Sequence, residues 1–399
     1  MALVDIFSYR YGDDTMLTWE QVIEAEDTGV RRSYGSMCSG ISVLRQGRAL
    51  MLLMPNERFR VLSSGFTNGG FVDSPQAVIN VTSMGGKLEY LCMKGGLDTY
   101  DSMNRAYAEK LGLDPDRTVF QGTAANMDNA AIVNGNAPDG TKISYAVTAG
   151  IRHNGGRAGD PAHHDEAEAK YGPESGTIIT LMSIDAHLSD NALFQAMLMI
   201  TEAKSCVIQE LQAKSLYSFG IATGSGTDQV TVITNTASDE VIDDIPRDSE
   251  LAKTIALLMK EALREAFDRQ SGMNPVVQWD PLMLMGRYNM NRIRDEIRFP
   301  ATMEELLSAL EEIRQDTYMT AMVTAILNIA DDVRNGLIQE KEGVEAALRI
   351  CEGAVLAKVE DPIERLRLDD AESVIELLSY VSALKLMETV RSRRAYHGQ

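Results

Sequence analysis

Residues 147–160 read VTAGIRHNGGRAGD and join a predicted strand to a polar, glycine-rich loop. The stretch begins as a strand, because Ile143, Tyr145 and Val147 alternate with polar or small side chains. Regular structure ends at Gly150, and the next ten residues mix glycines with charged and amide side chains. Glycine lets a backbone turn sharply and approach a ligand closely, whereas clustered polar groups are costly to bury without partners. Residues 150–160, the first loop, therefore form either a solvated surface loop or a binding loop.

A second loop of the same kind favours the binding interpretation. Residues 220–228 read GIATGSGTD and precede a predicted strand at residues 230–233. A predicted strand at residues 177–185 and a predicted helix at residues 189–212 separate the two loops. Two polar, glycine-rich loops beside strands are more typical of a ligand site than of unrelated surface turns.

The strand pattern defines the fold class of the first part of the chain. Residues 35–240 contain about eight strand patterns and only two or three helical ones. Most connections between the early strands are short, which favours antiparallel pairing because parallel pairs need long crossovers. We therefore predict an α+β fold with a mostly antiparallel or mixed sheet and packed helices. The polar loops at its strand ends could converge on one edge.

The last part of the chain is predicted to be entirely helical. After residue 248 the strand pattern stops, and Thr302 and Glu305 form a capping-box signature ahead of an apolar helical stripe. This pattern predicts a first domain at residues 1–270 and a helical C-terminal domain at residues 285–399. Because no motif there suggests chemistry, we expect that domain to serve packing or homo-oligomer formation and to be dispensable for the chemistry.

Charge and cysteine content limit the partners and the compartment. The formal net charge of −20 repels nucleic acid and anionic membranes, so neither is an expected partner. No apolar run is long enough to span a bilayer, and the N-terminus lacks a signal-peptide pattern. The four cysteines form no CxxC pair. We expect a cytoplasmic protein in which Cys92 and Cys206 are reduced and buried.

Five sequence blocks, in order, resemble the CbiZ-type adenosylcobinamide amidohydrolases. The blocks are LSSG at 62–65 with NGG at 68–70, TAG at 148–150 with RAGD at 157–160, LSD at 188–190, TEAK at 201–204, and ATGSGTD at 222–228. The similarity covers about residues 35–240 and does not include the helical domain. It implies hydrolysis of the amide that joins the aminopropanol arm to the corrin ring of adenosylcobinamide. The products would be adenosylcobyric acid and aminopropanol, in corrinoid (cobalamin) salvage. The alternative is a corrinoid-binding or carrier protein without turnover.

Amide hydrolysis needs an activated water or nucleophile, donors for the oxyanion and a proton for the leaving amine. The candidate catalytic residues are His153, Glu202 and Asp228. The candidate substrate-binding residues are Ser64, Asn68, Asn126, Asn154, Arg157, Asp160, Thr223, Gly224, Gly226 and Thr227. We expect both loops and Glu202 to meet in one cleft, because each polar group left unpaired there would cost roughly 1–3 kcal/mol. Structural alternatives are a hydrogen-bonding loop histidine, a solvated helix face for Glu202 and a turn cap for Asp228.

A bound metal stays an open alternative. Four of the five histidines, at positions 153, 163, 164 and 187, lie close in sequence to Asp160, Asp165 and Asp185. Nitrogen and oxygen ligands of this kind suit zinc or another divalent metal. However, the HExxH spacing of many metal hydrolases is absent. No metal ligand is therefore assigned, and no cofactor is firmly implied beyond the cobalt corrinoid as substrate.

Overall fold

Two sheets, not one, organise the first part of the protein. The structure is a computed structural model that describes residues 23–24, 26–82, 96–161, 176–288, 301–351 and 372–397. Its strands are β1 (Arg32–Ser36), β2 (Ser42–Gln46), β3 (Ala49–Leu53), β4 (Phe59–Ser63), β5 (Gly70–Asp73), β6 (Ala77–Thr82), β7 (Thr118–Thr123), β8 (Ala131–Asn136), β9 (Lys142–Gly150), β10 (Gly155–Gly156), β11 (Thr177–Ile184), β12 (His187–Leu188), β13 (Gly224–Ser225), β14 (Gln229–Asn235) and β15 (Val241–Ile242). Its α-helices are α1 (Gly96–Lys110), α2 (Asp190–Glu210), α3 (Glu250–Ser271), α4 (Pro275–Gln278), α5 (Pro281–Met285), α6 (Met303–Arg314), α7 (Thr317–Arg334), α8 (Glu340–Cys351) and α9 (Glu372–His397).

Both large sheets are mixed. The first has the strand order β1-β2-β3-β6-β7, and the second has the order β5-β4-β14-β11-β9-β8. Parallel pairs occur at β6–β7 and at β11–β14, while the other neighbours in these two sheets run antiparallel. The predicted α+β class and mixed pairing are therefore confirmed, with the strands divided between two sheets.

Apolar side chains pack the sheets and helices into four layers. One buried cluster joins Leu52 and Val78 of the first sheet to Val61 and Leu181 of the second. Helix α1 covers the outer face of the first sheet, and α2 and α3 cover the outer face of the second. Strand β11 is buried on both faces, which explains why its sequence TIITLMSI shows no alternation of apolar and charged side chains.

Local capping signals position the helices that matter for the site. Ser189 precedes α2 and accepts a hydrogen bond from the backbone N–H of Ala192. The predicted capping box at the start of α6 is also present, with reciprocal bonds between Thr302 and Glu305. Each such cap stabilises its helix by about 1 kcal/mol.

The C-terminal helical region, here α5 to α9, has its own apolar core. Leu284 of α5 packs with Leu327 of α7, Val344 of α8 and Val381 of α9 in a cluster separate from those of the sheets. The predicted all-helical character of this region is confirmed. The domain boundaries stay a prediction.

The exposure of Cys206 differs from the expectation drawn from its place in a helix. Cys206 is exposed, so the expectation that this helical thiol is buried is wrong, and Cys92 lies outside the described residues. Position 206 falls on the outer side of α2, next to the buried Val207 that faces the sheet. Among the helices described, none combines the length and apolarity needed to cross a bilayer.

Candidate active site

A short antiparallel ladder joins the first and second loops. Strand β10 pairs with β13, so that Gly155 lies opposite Ser225 and Gly156 lies opposite Gly224. Next to the ladder, the backbone N–H of Thr223 donates to the Gly156 carbonyl at 2.8 Å. The convergence of the two loops expected from the sequence is therefore present.

Two glycines make this close approach possible. A Cβ atom on Gly155 would lie 3.0 Å from the carbonyl oxygens of Ile151 and Lys214. A Cβ atom on Gly224 would lie 2.8 Å from Nζ of Lys204 and would collide with the Asp228 carboxylate. Larger residues at these positions would force the loops apart.

Asp228 holds the base of the second loop through a shielded ion pair. Its Oδ2 lies 2.5 Å from Nζ of Lys204 on α2, and the two side chains are only 9% and 12% exposed. The same carboxylate accepts the backbone N–H of Ile178 at 3.0 Å, and from Ser225 it accepts both the hydroxyl at 2.6 Å and the N–H at 3.0 Å. Asp228 thus ties the loop to β11 and α2. A proton transfer by this carboxylate would require it to give up one of these donors.

Asp160 anchors the first loop through hydrogen bonds, as Asp228 anchors the second. Its Oδ2 accepts the backbone N–H of Arg157 at 2.7 Å and the hydroxyl of Ser215 at 2.5 Å. Burial alone would raise the pKa of Asp160, but the hydrogen bonds from Ser215 and Ser218 and the charge of Arg157 outweigh it and lower that pKa. The carboxylate therefore stays charged and keeps the first loop attached to residues just before the second.

A third set of hydrogen bonds, next to the start of β11, connects the first and second loops. Asn154 is 1% exposed, and its amide nitrogen donates to the Gly176 carbonyl. The Thr227 hydroxyl donates to the same carbonyl at 3.2 Å. The amide oxygen of Asn154 is buried and has no hydrogen-bond partner in the part of the chain that the structure describes. Asn154 and Thr227 thus connect both loops to one backbone group.

A buried polar belt lies between the sheets below these loops. Asn80 and Gln121 are register partners on β6 and β7, and each is 1% exposed. The amide of Asn80 donates to the Thr148 hydroxyl at 2.8 Å, and the amide of Gln121 donates to the hydroxyls of Ser63, at 2.8 Å, and of Thr231. These three bonds from Asn80 and Gln121 cross from the first sheet to the second, and Ser63 and Thr231 also bond each other at 2.9 Å within the second sheet.

Each carboxamide in the belt leaves its oxygen buried without a partner among the described residues. An unsatisfied buried acceptor costs about 1–3 kcal/mol, and such groups cluster where a water or ligand is held. Asn80 and Gln121 were not among the residues predicted for the site. The signal available was a single amide side chain inside each of two strands.

The other amide candidates shape neighbouring turns. Asn68 has a φ of +54° and donates to the carbonyls of Pro115 and Thr118, each at 2.7 Å. Asn126 caps a short turn by accepting the N–H of Asp128 at 3.0 Å. Both side chains thus have backbone partners within the protein.

The accessible polar groups at the junction are few. Ser64, at the end of β4, is exposed and accepts the N–H of Val230 at 2.8 Å. His153, Gly226 and Thr227 are also exposed, and the space around Gly226 is open. These groups, with the backbone of the second loop, are positioned to contact a ligand.

The structure leaves Glu202 outside the junction. Its carboxylate pairs with Arg247 at 3.0 Å, and these side chains are 50% and 81% exposed. Glu202 precedes Lys204 by two positions, which rotates it about 160° around the helix axis. Because Lys204 faces the second loop, Glu202 faces away from it, and its catalytic role stays a prediction.

The described residues contain no group of three or more His, Cys, Asp or Glu side chains arranged to hold a metal. His163, His164 and Asp165 lie outside the described residues. His187, in β12, follows the end of β11 opposite the loops, roughly 25 Å from the junction by strand length. His153 and His187 therefore do not come together.

Two packed sheets with joined glycine loops at one end define an α+β protein with a loop-built site. The family model of the adenosylcobinamide amidohydrolases (CbiZ) matches residues 36–275. The chain is 30% identical over 183 residues to the uncharacterized protein MJ1613 of Methanocaldococcus jannaschii, a match that covers 43% of this chain and 71% of that protein. Among solved structures, the PH0078 protein from Pyrococcus horikoshii OT3 matches with 14% identity and a TM-score of 0.28, over 60% of this chain and 82% of that one. On the family match, the chain belongs to the adenosylcobinamide amidohydrolase family.

Proposed function

We propose that the joined loops carry the hydrolysis of the aminopropanol amide of adenosylcobinamide. Water would add its oxygen to the amide carbonyl carbon, and the C–N bond would then break. The products are adenosylcobyric acid, which keeps the new carboxylate, and aminopropanol, which leaves with the proton. A corrinoid substrate and a cytoplasmic salvage role are parts of the same proposal.

The pairing of Gly155–Gly156 with Gly224–Ser225 is the observation that supports this proposal best. The pairing brings together two of the sequence blocks on which the family resemblance depends, and it leaves Gly226 exposed with open space around it. Backbone N–H groups fixed in this way can stabilise the oxyanion of a tetrahedral intermediate. Ser64 and the same backbone groups can also bind the amide side chains around the corrin ring.

We assign proton transfer first to His153. It is exposed within the first loop, and a histidine can both accept and donate a proton near neutral pH. Asp228, Asp160, Arg157 and Asn154 would instead keep the loops in place. Glu202, paired with Arg247 on the outer flank of α2, is the less favoured candidate.

The test is incubation of the purified full-length chain with adenosylcobinamide, with and without divalent metals. Adenosylcobyric acid is followed by mass spectrometry. We expect product with the wild type and a loss of at least ~100-fold in turnover with His153→Ala, the low end of a general base's contribution. His187→Ala, in β12 at the opposite end of β11 from the loops, is the matched control and should keep turnover. The proposal fails if folded protein forms no product under any of these conditions.

A second candidate, a corrinoid-binding or carrier protein, has one observation in its favour. In the described residues His153 has no carboxylate partner, Asp228 is occupied by Lys204, and Glu202 faces away from the loops. No acid–base pair is therefore assembled there. Tight binding of adenosylcobinamide without any cleavage would establish this alternative, and cleavage would exclude it.

A further inference from the structure

A buried arginine connects the C-terminal helical region to the sheets. The side chain of Arg287, which follows α5, is 2% exposed. Its guanidinium donates to the Phe219 carbonyl from Nε at 2.9 Å and from Nη2 at 2.6 Å. Nη2 also lies 2.7 and 2.8 Å from the two carboxylate oxygens of Asp331 on α7. Charge-assisted bonds of this kind are about twice as strong as neutral ones.

The segment that Arg287 holds, residues 214–219, is partly open to solvent. It borders an open cleft of about 550 Å³ whose far wall is formed by Gly286 and Arg287. Leu216 and Phe219 are 41% and 42% exposed. The Arg334 guanidinium lies 4.3 Å from the centre of the Phe219 ring, a cation–π contact from the same helix as Asp331. The position of the segment therefore depends on polar contacts with the helical region.

The same segment holds the first loop on its opposite side. The backbone N–H of Leu216 donates to the Gly155 carbonyl at 2.8 Å. The Ser215 hydroxyl donates to Asp160, as described above. The ring of Tyr217 lies 3.3 Å from where a Cβ of Gly156 would stand, so it packs against that glycine. A shift of residues 214–219 would move the strand β10 that pairs with the second loop.

We propose that Arg287 is a positioning residue, through which the C-terminal helical region sets the position of the first loop. This inference departs from the expectation that the helical region is dispensable. It rests on the proposed function only for the identity of the ligand that the loops bind. The chemistry would stay in the loops, while the geometry of the ladder between β10 and β13 would depend on the contact of Arg287 with Phe219 and Asp331.

The test compares Arg287→Met with the full-length wild type by hydrogen–deuterium exchange. We expect amides in residues 214–219 and 150–160 to exchange at least ~10-fold faster in the variant, because local opening becomes easier when these contacts are lost. The KM for adenosylcobinamide should rise more than kcat falls, since the change displaces the binding loop and removes no reacting group. Arg393→Met is the matched control, because it removes an exposed pair with Glu312 inside the helical region. It should change neither measurement.

Unchanged exchange in both segments of a folded Arg287→Met protein would overturn the inference, whatever the activity. If the helical region unfolds in that variant, Arg287→Lys provides the same comparison. Lysine keeps the positive charge but cannot bond the Phe219 carbonyl and the Asp331 carboxylate with the geometry of a guanidinium. Wild type without turnover would refute the proposed function alone, since the exchange measurement needs no substrate.

Discussion

Replacing Asp228 by alanine should destabilise the protein as well as impair its function. The substitution leaves the Lys204 ammonium, with a side chain only 12% exposed, without its carboxylate. It also leaves the backbone N–H groups of Ile178 and Ser225 without their acceptor. A site residue is often expected to have little effect on folding, but this one holds the second loop to β11 and α2.

The size of the effect follows from the shielding of the pair. Removing one partner of a buried ion pair costs about 3–5 kcal/mol, because the other charge is left buried alone. For a folded unit of 150–250 residues, each kcal/mol lowers the melting temperature by about 2–4 °C, so a fall of ~6–20 °C is expected. The double variant Asp228→Leu with Lys204→Met should lose less than the sum of the single variants, because neither charge is then left alone.

Differential scanning calorimetry of the full-length protein measures this loss. Glu202→Ala is the matched control, since its ion pair with Arg247 is exposed at both ends. Exposed pairs contribute about 0–1 kcal/mol, so the control should melt within about 4 °C of the wild type. Equal melting temperatures for Asp228→Ala and Glu202→Ala would refute the assignment of Asp228 as the structural tie of the second loop.

Two further predictions concern single side chains. A thiol reagent should modify Cys206 well before Cys351, because Cys206 is exposed while burial raises the pKa of Cys351 to about 12. Peptide mapping by mass spectrometry after brief labelling gives the order. In α6, Arg394 and the Thr302 backbone lower the pKa of Glu305 from 4.5 to about 2, so its stabilising effect is present above pH 4.5 and is lost as pH falls towards 2. Thermal unfolding followed by circular dichroism should show this loss in the wild type and a weaker pH dependence in Glu305→Gln, and equal dependence in both would contradict it.

Hydrophobic periodicity and helix-capping residues predicted the buried strands and helices, but they did not predict all strands at the sheet edges. Strands β1, β5 and β8, which lie at sheet edges, have no clear strand pattern in the sequence. Their sequences RSYGS, GFVD and AIVNGN alternate poorly, because an edge strand has exposed positions that need no apolar side chain. The central strand β11, covered on both faces, was the easiest to predict.

The sequence indicated which loops belong to the candidate site, but it did not indicate which side chains pair with each other there. Their glycine and polar content indicated that the first and second loops lie at one ligand site, and the structure shows that these two loops pair with each other. The partner of Asp228 is 24 positions away on α2, and spacing alone does not say which side chain faces which. Asn80 and Gln121 were missed because an amide in a strand suggests a solvated face, whereas here a second sheet covers that face.

The most direct test of the central claim is a structure of the full-length chain with adenosylcobyric acid bound. We expect the carboxylate formed by hydrolysis to lie between the first and second loops, within hydrogen-bond distance of the backbone N–H of Gly226 and near His153. A corrinoid bound elsewhere on the protein, with residues 150–160 and 220–228 free of contact, would contradict it.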